Sequence, residues 1–86
     1  MEEFEGTVAF LTVVQEGSFA AAARRLGLPP SSVTRRVQRL EGALCVTLLQ
    51  RTTRSVRLTP AGEAYRQRAA PALEALEEAQ RSVSEA

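Results

Sequence analysis

Three observations on this 86-residue chain predict a mainly α fold. Apolar residues recur at helical spacing from Glu3 to Gln15, again from Phe19 to Leu26, and again from Pro30 to Leu44. Small Ala23, apolar Leu26, turn Gly27, apolar Leu28, then Val33 and Val37 give the second and third stretches the spacing of a helix-turn-helix. Residues 46–58 lose that period, and the chain regains it from Pro60 onwards. The predicted architecture is a winged helix-turn-helix, with a three-helix core and a two-stranded wing, followed by a long C-terminal linker helix. The expected division is residues 1–58 for the winged part and 59–86 for the helix.

Each element follows from local chemistry. In the first helix Phe4, Val8, Leu11 and Val14, flanked by Phe10 and Val13, form the expected inner stripe, and Gly17 stops it. Ser18 is a natural N-cap for the second helix, where Phe19, Ala22, Ala23 and Leu26 face inward and Gly27 takes a left-handed turn. Pro30 fits the first turn of the third helix, because its missing N–H would find no intrahelical acceptor there. Val33, Val37, Leu40 and Leu44 then fall on one side, and Ser31, Thr34, Arg35, Gln38 and Arg39 on the other. Val56 and Leu58 alternate with Ser55 and Arg57 as a half-buried strand, with Leu48 and Leu49 opposite. Thr59 caps the last helix, with Pro60 at its first position and Glu63 supporting the dipole.

Within the last helix Tyr65, Ala69, Ala72, Leu76, Ala79 and Val83 alternate steps of four and three, a heptad seam that predicts a homodimer interface. Packing back onto the first helix is the alternative. Pro71 removes one hydrogen bond, so a kink near Gln67 is expected, with the helix continuing beyond it.

The formal charge of +1 conceals a segregation by sign. Residues 17–68 hold ten Arg against only Glu41 and Glu63, while residues 1–16 carry four Glu and residues 69–86 carry four Glu against Arg81. The cationic part coincides with the helix-turn-helix, as counterion release from a nucleic-acid backbone requires. All eleven basic residues are Arg, a bias read mainly as that of a GC-rich genome. One cysteine allows no internal disulfide and favours a reducing, cytoplasmic setting. The acidic start has no apolar run of a secretory signal, and no stretch approaches the roughly 20 apolar residues of a membrane span. With no His, no Asp and a single Cys, neither a nucleophilic triad nor a metal cluster can be assembled, so no enzyme activity, metal or cofactor is expected.

The polar face of the third helix supplies the candidate DNA base contacts Ser31, Ser32, Thr34, Arg35 and Gln38. Arg35 suits a guanine edge and Gln38 an adenine edge, with the hydroxyl residues reaching bases or phosphates near the helix start. Candidate backbone and wing contacts are Ser18, Arg24, Arg36, Arg39, Arg51, Arg54 and Arg57. Several carry a competing role. Arg36 lies near the core edge and can lay its stem on apolar neighbours, Arg24 and Arg25 can serve solubility alone, and the wing arginines can simply discourage edge pairing. Cys45 is read as a half-buried packing residue. A winged-helix protein-interaction module, working through its last helix without DNA, is the rival reading.

The combination of Phe10 with Glu16-Gly17-Ser18-Phe19, Ala22-Ala23 with Arg25-Leu26, Ser32-Val33-Thr34-Arg35, Arg39-Leu40-Glu41, Arg51-Thr52 with Arg54, and Leu58-Thr59 with Ala61-Gly62 resembles the N-terminal DNA-binding region of LysR-type transcriptional regulators over about residues 3–80. The resemblance implies a bacterial sequence-specific regulator that dimerises through linker helices, sets residues 30–44 in the major groove and binds an interrupted palindrome. It also implies a larger C-terminal effector domain, sensing a small molecule, in a full-length member. Three positions depart from the family pattern. Pro29-Pro30-Ser31 stands where many members carry Ser-Gln-Pro, Cys45 where they often have the Gly after the recognition helix, and Leu49 where an aromatic wing residue is common.

Overall fold

A computed structural model describes residues 2–52 and 55–84. The chain forms α1 (Glu2–Glu16), α2 (Phe19–Leu26), α3 (Pro30–Leu44), β1 (Leu49–Arg51), β2 (Val56–Leu58) and α4 (Pro60–Ser84). The two strands pair antiparallel, with Leu49 opposite Leu58, Gln50 opposite Arg57 and Arg51 opposite Val56. This is the predicted winged helix-turn-helix with its long terminal helix.

The core is built where α1, α2 and α3 meet, from Phe10, Val13, Phe19, Ala22, Ala23, Val33, Val37 and Leu40, closed from the wing side by Leu48 and Leu49. The inner face of α1 is rotated from the one the apolar pattern indicated. Gly6, Ala9, Phe10 and Val13 are buried, Val8, Leu11 and Val14 are half-buried, and Phe4 is exposed. The cause is close packing of backbones. A Cβ on Gly6 would lie 2.8 Å from both the Arg36 carbonyl oxygen and Leu40 Cβ, so α1 approaches α3 closely at this glycine, and the face that carries it is the inner one. The apolar stripe of α3 also ends early, since Leu44, one turn past that contact, is 39% exposed.

Helix ends follow the expected caps. Ser18 Oγ accepts the Ala21 N–H at 3.0 Å, and Gly27 closes α2 at φ 69°. Leu28 N–H then donates to the Ala23 carbonyl and Gly27 N–H to that of Arg24, a Schellman closure. The end of α3 repeats this pattern, with Val46 N–H on Glu41 O and Cys45 N–H on Gly42 O, but its left-handed residue is Cys45 at φ 58°. A side chain in that conformation costs on the order of 1 kcal/mol relative to glycine. Cys45 is exposed, contrary to the expected half-buried packing role: it stands at the left-handed cap of α3, and its thiol donates to the Gly42 carbonyl at 3.6 Å on the surface instead of entering the core.

At the start of α4 Thr59 Oγ1 accepts the Gly62 N–H at 2.9 Å, the predicted cap. The helix runs through Pro71 without interruption to Ser84. Its first turns lie on α1. Tyr65 is half-buried there, its ring 5.8 Å from that of Phe10 and its hydroxyl 2.6 Å from Thr7 Oγ1.

Candidate nucleic-acid interface

Because Val33, Val37 and Leu40 are buried, the opposite side of α3 must face outward. Ser31, Arg35, Gln38 and Arg39 are exposed there, with Ser32 and Thr34 half-buried at the margin. No glutamate interrupts this row. The five candidate base-contacting residues therefore share one rigid helical surface, at its N-terminal half, where a docking helix ordinarily presents side chains to base edges.

The arginines around this face divide by their partners. Arg36 is half-buried and its Nη2 lies 3.8 Å from Glu5 Oε2 on α1, so its stem covers the α1–α3 seam. Arg25 lies 3.7 Å from Glu16 Oε2, and Arg24 is exposed on the adjacent surface of α2. On the wing, Arg51 and Arg57 are exposed. The Arg51 guanidinium carbon sits 4.0 Å from the centre of the Phe19 ring, a cation–π contact that holds the wing arginine beside the start of α2. Arg54 lies outside the described residues. Ser18 is already engaged as the α2 cap, although its Oγ retains a proton to donate.

Two site features escape residue-pattern reading. Glu41, read from the sequence as a charge in a basic segment and as part of the Arg39-Leu40-Glu41 run that carries the resemblance, turns its Oε2 to the backbone amides of Leu48 and Leu49, at 2.7 and 3.2 Å. The Arg51–Phe19 contact joins residues far apart in sequence, and no local spacing foreshadows it. The signals for Glu41 were its place in the Arg39-Leu40-Glu41 run and its standing as the lone carboxylate of α3 just before a chain reversal, and neither names its partners.

Along α4 the heptad positions change environment. Tyr65 and Ala69 are half-buried, while Ala72, Leu76, Ala79 and Val83 are exposed, Val83 at 77%. An apolar groove of about 380 Å³, lined by Phe4, Thr7, Tyr65, Ala69, Leu73 and Leu76 among others, runs between α4 and the start of α1. Part of the seam thus packs within the chain, and the rest is uncovered in the monomer.

A three-helix core with an antiparallel wing and an outward, cationic second helix of the helix-turn-helix defines the class of winged helix-turn-helix domains. Residues 4–63 match the family model of bacterial regulatory helix-turn-helix proteins of the LysR family. The chain belongs to that family. It is 45% identical over 83 residues to an HTH-type transcriptional regulator of Xanthomonas campestris, covering 96% of this chain and 24% of the relative. The chain therefore spans about a quarter of the length of that relative. Among solved structures it superimposes on the full-length Vibrio cholerae virulence activator AphB with a TM-score of 0.88 at 32% identity, covering 93% of this chain and 28% of AphB. With the BenM_DBD/catB site 1 DNA complex the TM-score is 0.86 at 31% identity, over 94% of this chain and 91% of that one.

Proposed function

We propose that this chain binds double-stranded DNA sequence-specifically, as the DNA-binding part of a bacterial LysR-type transcriptional regulator acting in the cytoplasm. The recognition helix is α3, seated in the major groove with Arg35 on a guanine, Gln38 on an adenine, and Ser31, Ser32 and Thr34 reaching bases or phosphates. Ser18, Arg24, Arg39 and the wing residues Arg51, Arg54 and Arg57 hold the phosphate backbone, with Arg36 a further backbone contact that shares its guanidinium with Glu5. Residues 1–58 form the DNA-binding unit and residues 59–86 the dimerisation helix.

The observation that carries this reading is the uninterrupted outward row Ser31, Arg35, Gln38, Arg39 on a helix whose other side is buried through Val33, Val37 and Leu40. Structural neighbours solved as complexes with DNA support the same partner. Exposed Leu76 and Val83, on a seam with heptad spacing, support a homodimer through α4 that sets two recognition helices on an interrupted palindrome. In a full-length regulator, a C-terminal domain would bind a small-molecule effector.

Selection of bound sites from a random duplex library tests the reading directly. Two inverted half-sites at a fixed spacing are expected. Absence of any mobility shift on duplex DNA, at micromolar protein and low salt, would overturn it and leave a protein-interaction role for α4.

A further inference from the structure

The backbone of residues 47–49 is held from two sides. From α3, Glu41 Oε2 accepts the N–H groups of Leu48 and Leu49. From the start of α4, Thr59 Oγ1 donates to the Thr47 carbonyl at 2.5 Å, and the Thr59 N–H donates to the Leu48 carbonyl at 3.0 Å. Gly62 closes on that same carbonyl so tightly that a Cβ would stand 2.1 Å from its oxygen. The Leu48 side chain is meanwhile buried in the core, at 1% exposure. One short segment therefore has partners on the recognition helix, leads directly into the first wing strand, and abuts the N-terminus of α4.

We propose that Glu41, with Thr59 opposite it, is a positioning residue for DNA binding: the clamp on Thr47–Leu49 sets the wing and the α4 axis against the recognition helix, so that wing and helix engage one half-site together. The functional half of this proposal rests on the DNA-binding reading above. Charge alone argues the other way, which makes the sign informative. Glu41 and Glu63 are the only carboxylates among ten arginines in residues 17–68, and a glutamate that merely sat near phosphate would oppose binding. Both clamp bonds end on a single oxygen, so the carbonyl of a glutamine can accept them, whereas alanine can accept neither.

The test compares Glu41→Ala, Glu41→Gln and Thr59→Ala on a duplex recovered by selection, with amide exchange of Leu48 and Leu49 measured without DNA. The alanine and glutamine variants at position 41 lose the same charge, so any difference between them reports geometry. Glu41→Ala is expected to bind about tenfold or more weakly and to lose the wing's phosphate footprint, with a salt slope shallower by nearly one unit for each phosphate released. Its Leu48 and Leu49 amides exchange faster while those of α1 do not. Glu41→Gln keeps the footprint and binds at least as well as wild type, and Thr59→Ala, with no charge change, loses the wing footprint. Equal behaviour of the two position-41 variants, or an intact wing footprint in both alanine variants, would overturn the proposal. Should Glu41→Ala not fold, the Thr59→Ala footprint decides. Should wild type bind no duplex at all, the DNA reading falls, and unchanged Leu48 and Leu49 exchange in Glu41→Ala or Thr59→Ala would remove the clamp as well.

Discussion

Tyr65 Oη lies 2.6 Å from Thr7 Oγ1, tying the first turns of α4 to α1 beside the Phe10 ring. Heptad spacing assigns Tyr65 to a seam between subunits, yet here it completes the core of its own chain. Thr7 also donates to the Glu3 carbonyl at 2.8 Å, so the Tyr65 hydroxyl is the donor left to close the pair on Thr7 Oγ1. Removing that hydroxyl with Tyr65→Phe is expected to destabilise the fold by about 0.5–1.5 kcal/mol in urea denaturation. The dimer dissociation constant should stay within a few-fold of wild type. A large change in dimerisation with no change in unfolding would place Tyr65 between subunits instead.

Leu76 makes the complementary case. It is 42% exposed on the uncovered part of the seam. Leu76→Glu should therefore leave the unfolding of the monomeric chain nearly unchanged and abolish the dimer in sedimentation experiments, since an unpaired carboxylate cannot be buried in an apolar seam without a large desolvation cost. Retention of the dimer would assign the seam another partner.

Cys45 caps α3 in a left-handed conformation, φ 58°, with its side chain exposed. Cys45→Gly is expected to stabilise the domain, by up to about 1 kcal/mol, because glycine adopts this backbone without steric cost. Glycine's larger freedom in the unfolded chain reduces the net gain. A clear loss of stability in thermal unfolding would show that the thiol makes packing contacts that outweigh the strain.

Glu63 in the first turn of α4 is hydrogen-bonded by Arg66 and, at 3.2 Å, by Gln67, and these hold its carboxyl below the ordinary carboxylate value, Arg66 most strongly. A carboxyl lowered on folding contributes stability above its unfolded value, and that contribution disappears as pH falls through the folded one. The side chain is 40% exposed and its charge is screened by solvent, so the effect is small. Glu63→Gln should flatten the acid side of the stability–pH curve and leave the alkaline side alone; an unchanged acid limb would show that the pair is without consequence for folding.

How legible the molecule was depends on the range of the interaction. Ser18, Gly27, Pro30 and Thr59 act within one turn of where they stand, and the helix boundaries they imply agree with those found. The buried stripe of α3 was equally plain up to Leu40, because Val33, Val37 and Leu40 repeat at the helical period. The face of α1 was not, since Gly6 and Ala9 are buried for their smallness, and an apolar count overlooks small residues. Glu41, Arg51 and Tyr65 find partners 7 to 58 positions away, on other elements, and only tertiary packing decides such pairs. For the candidate interface, the outward row on α3 was readable from periodicity, whereas the clamp that orients the wing was not.

The central claim is that the outer face of α3 meets base edges, with the wing beside it on the backbone. Amide and side-chain chemical-shift mapping of the folded domain, titrated with a selected duplex, addresses it most directly. The predicted result is perturbation concentrated at Ser31, Thr34, Arg35 and Gln38, with Arg51 and Arg57 shifted as well. In parallel, Arg35→Ala should relax preference at one base pair, at a cost of about 1–3 kcal/mol, while Arg57→Ala weakens all sequences alike. Shifts confined to α4, with α3 silent and both variants indistinguishable, would contradict the account.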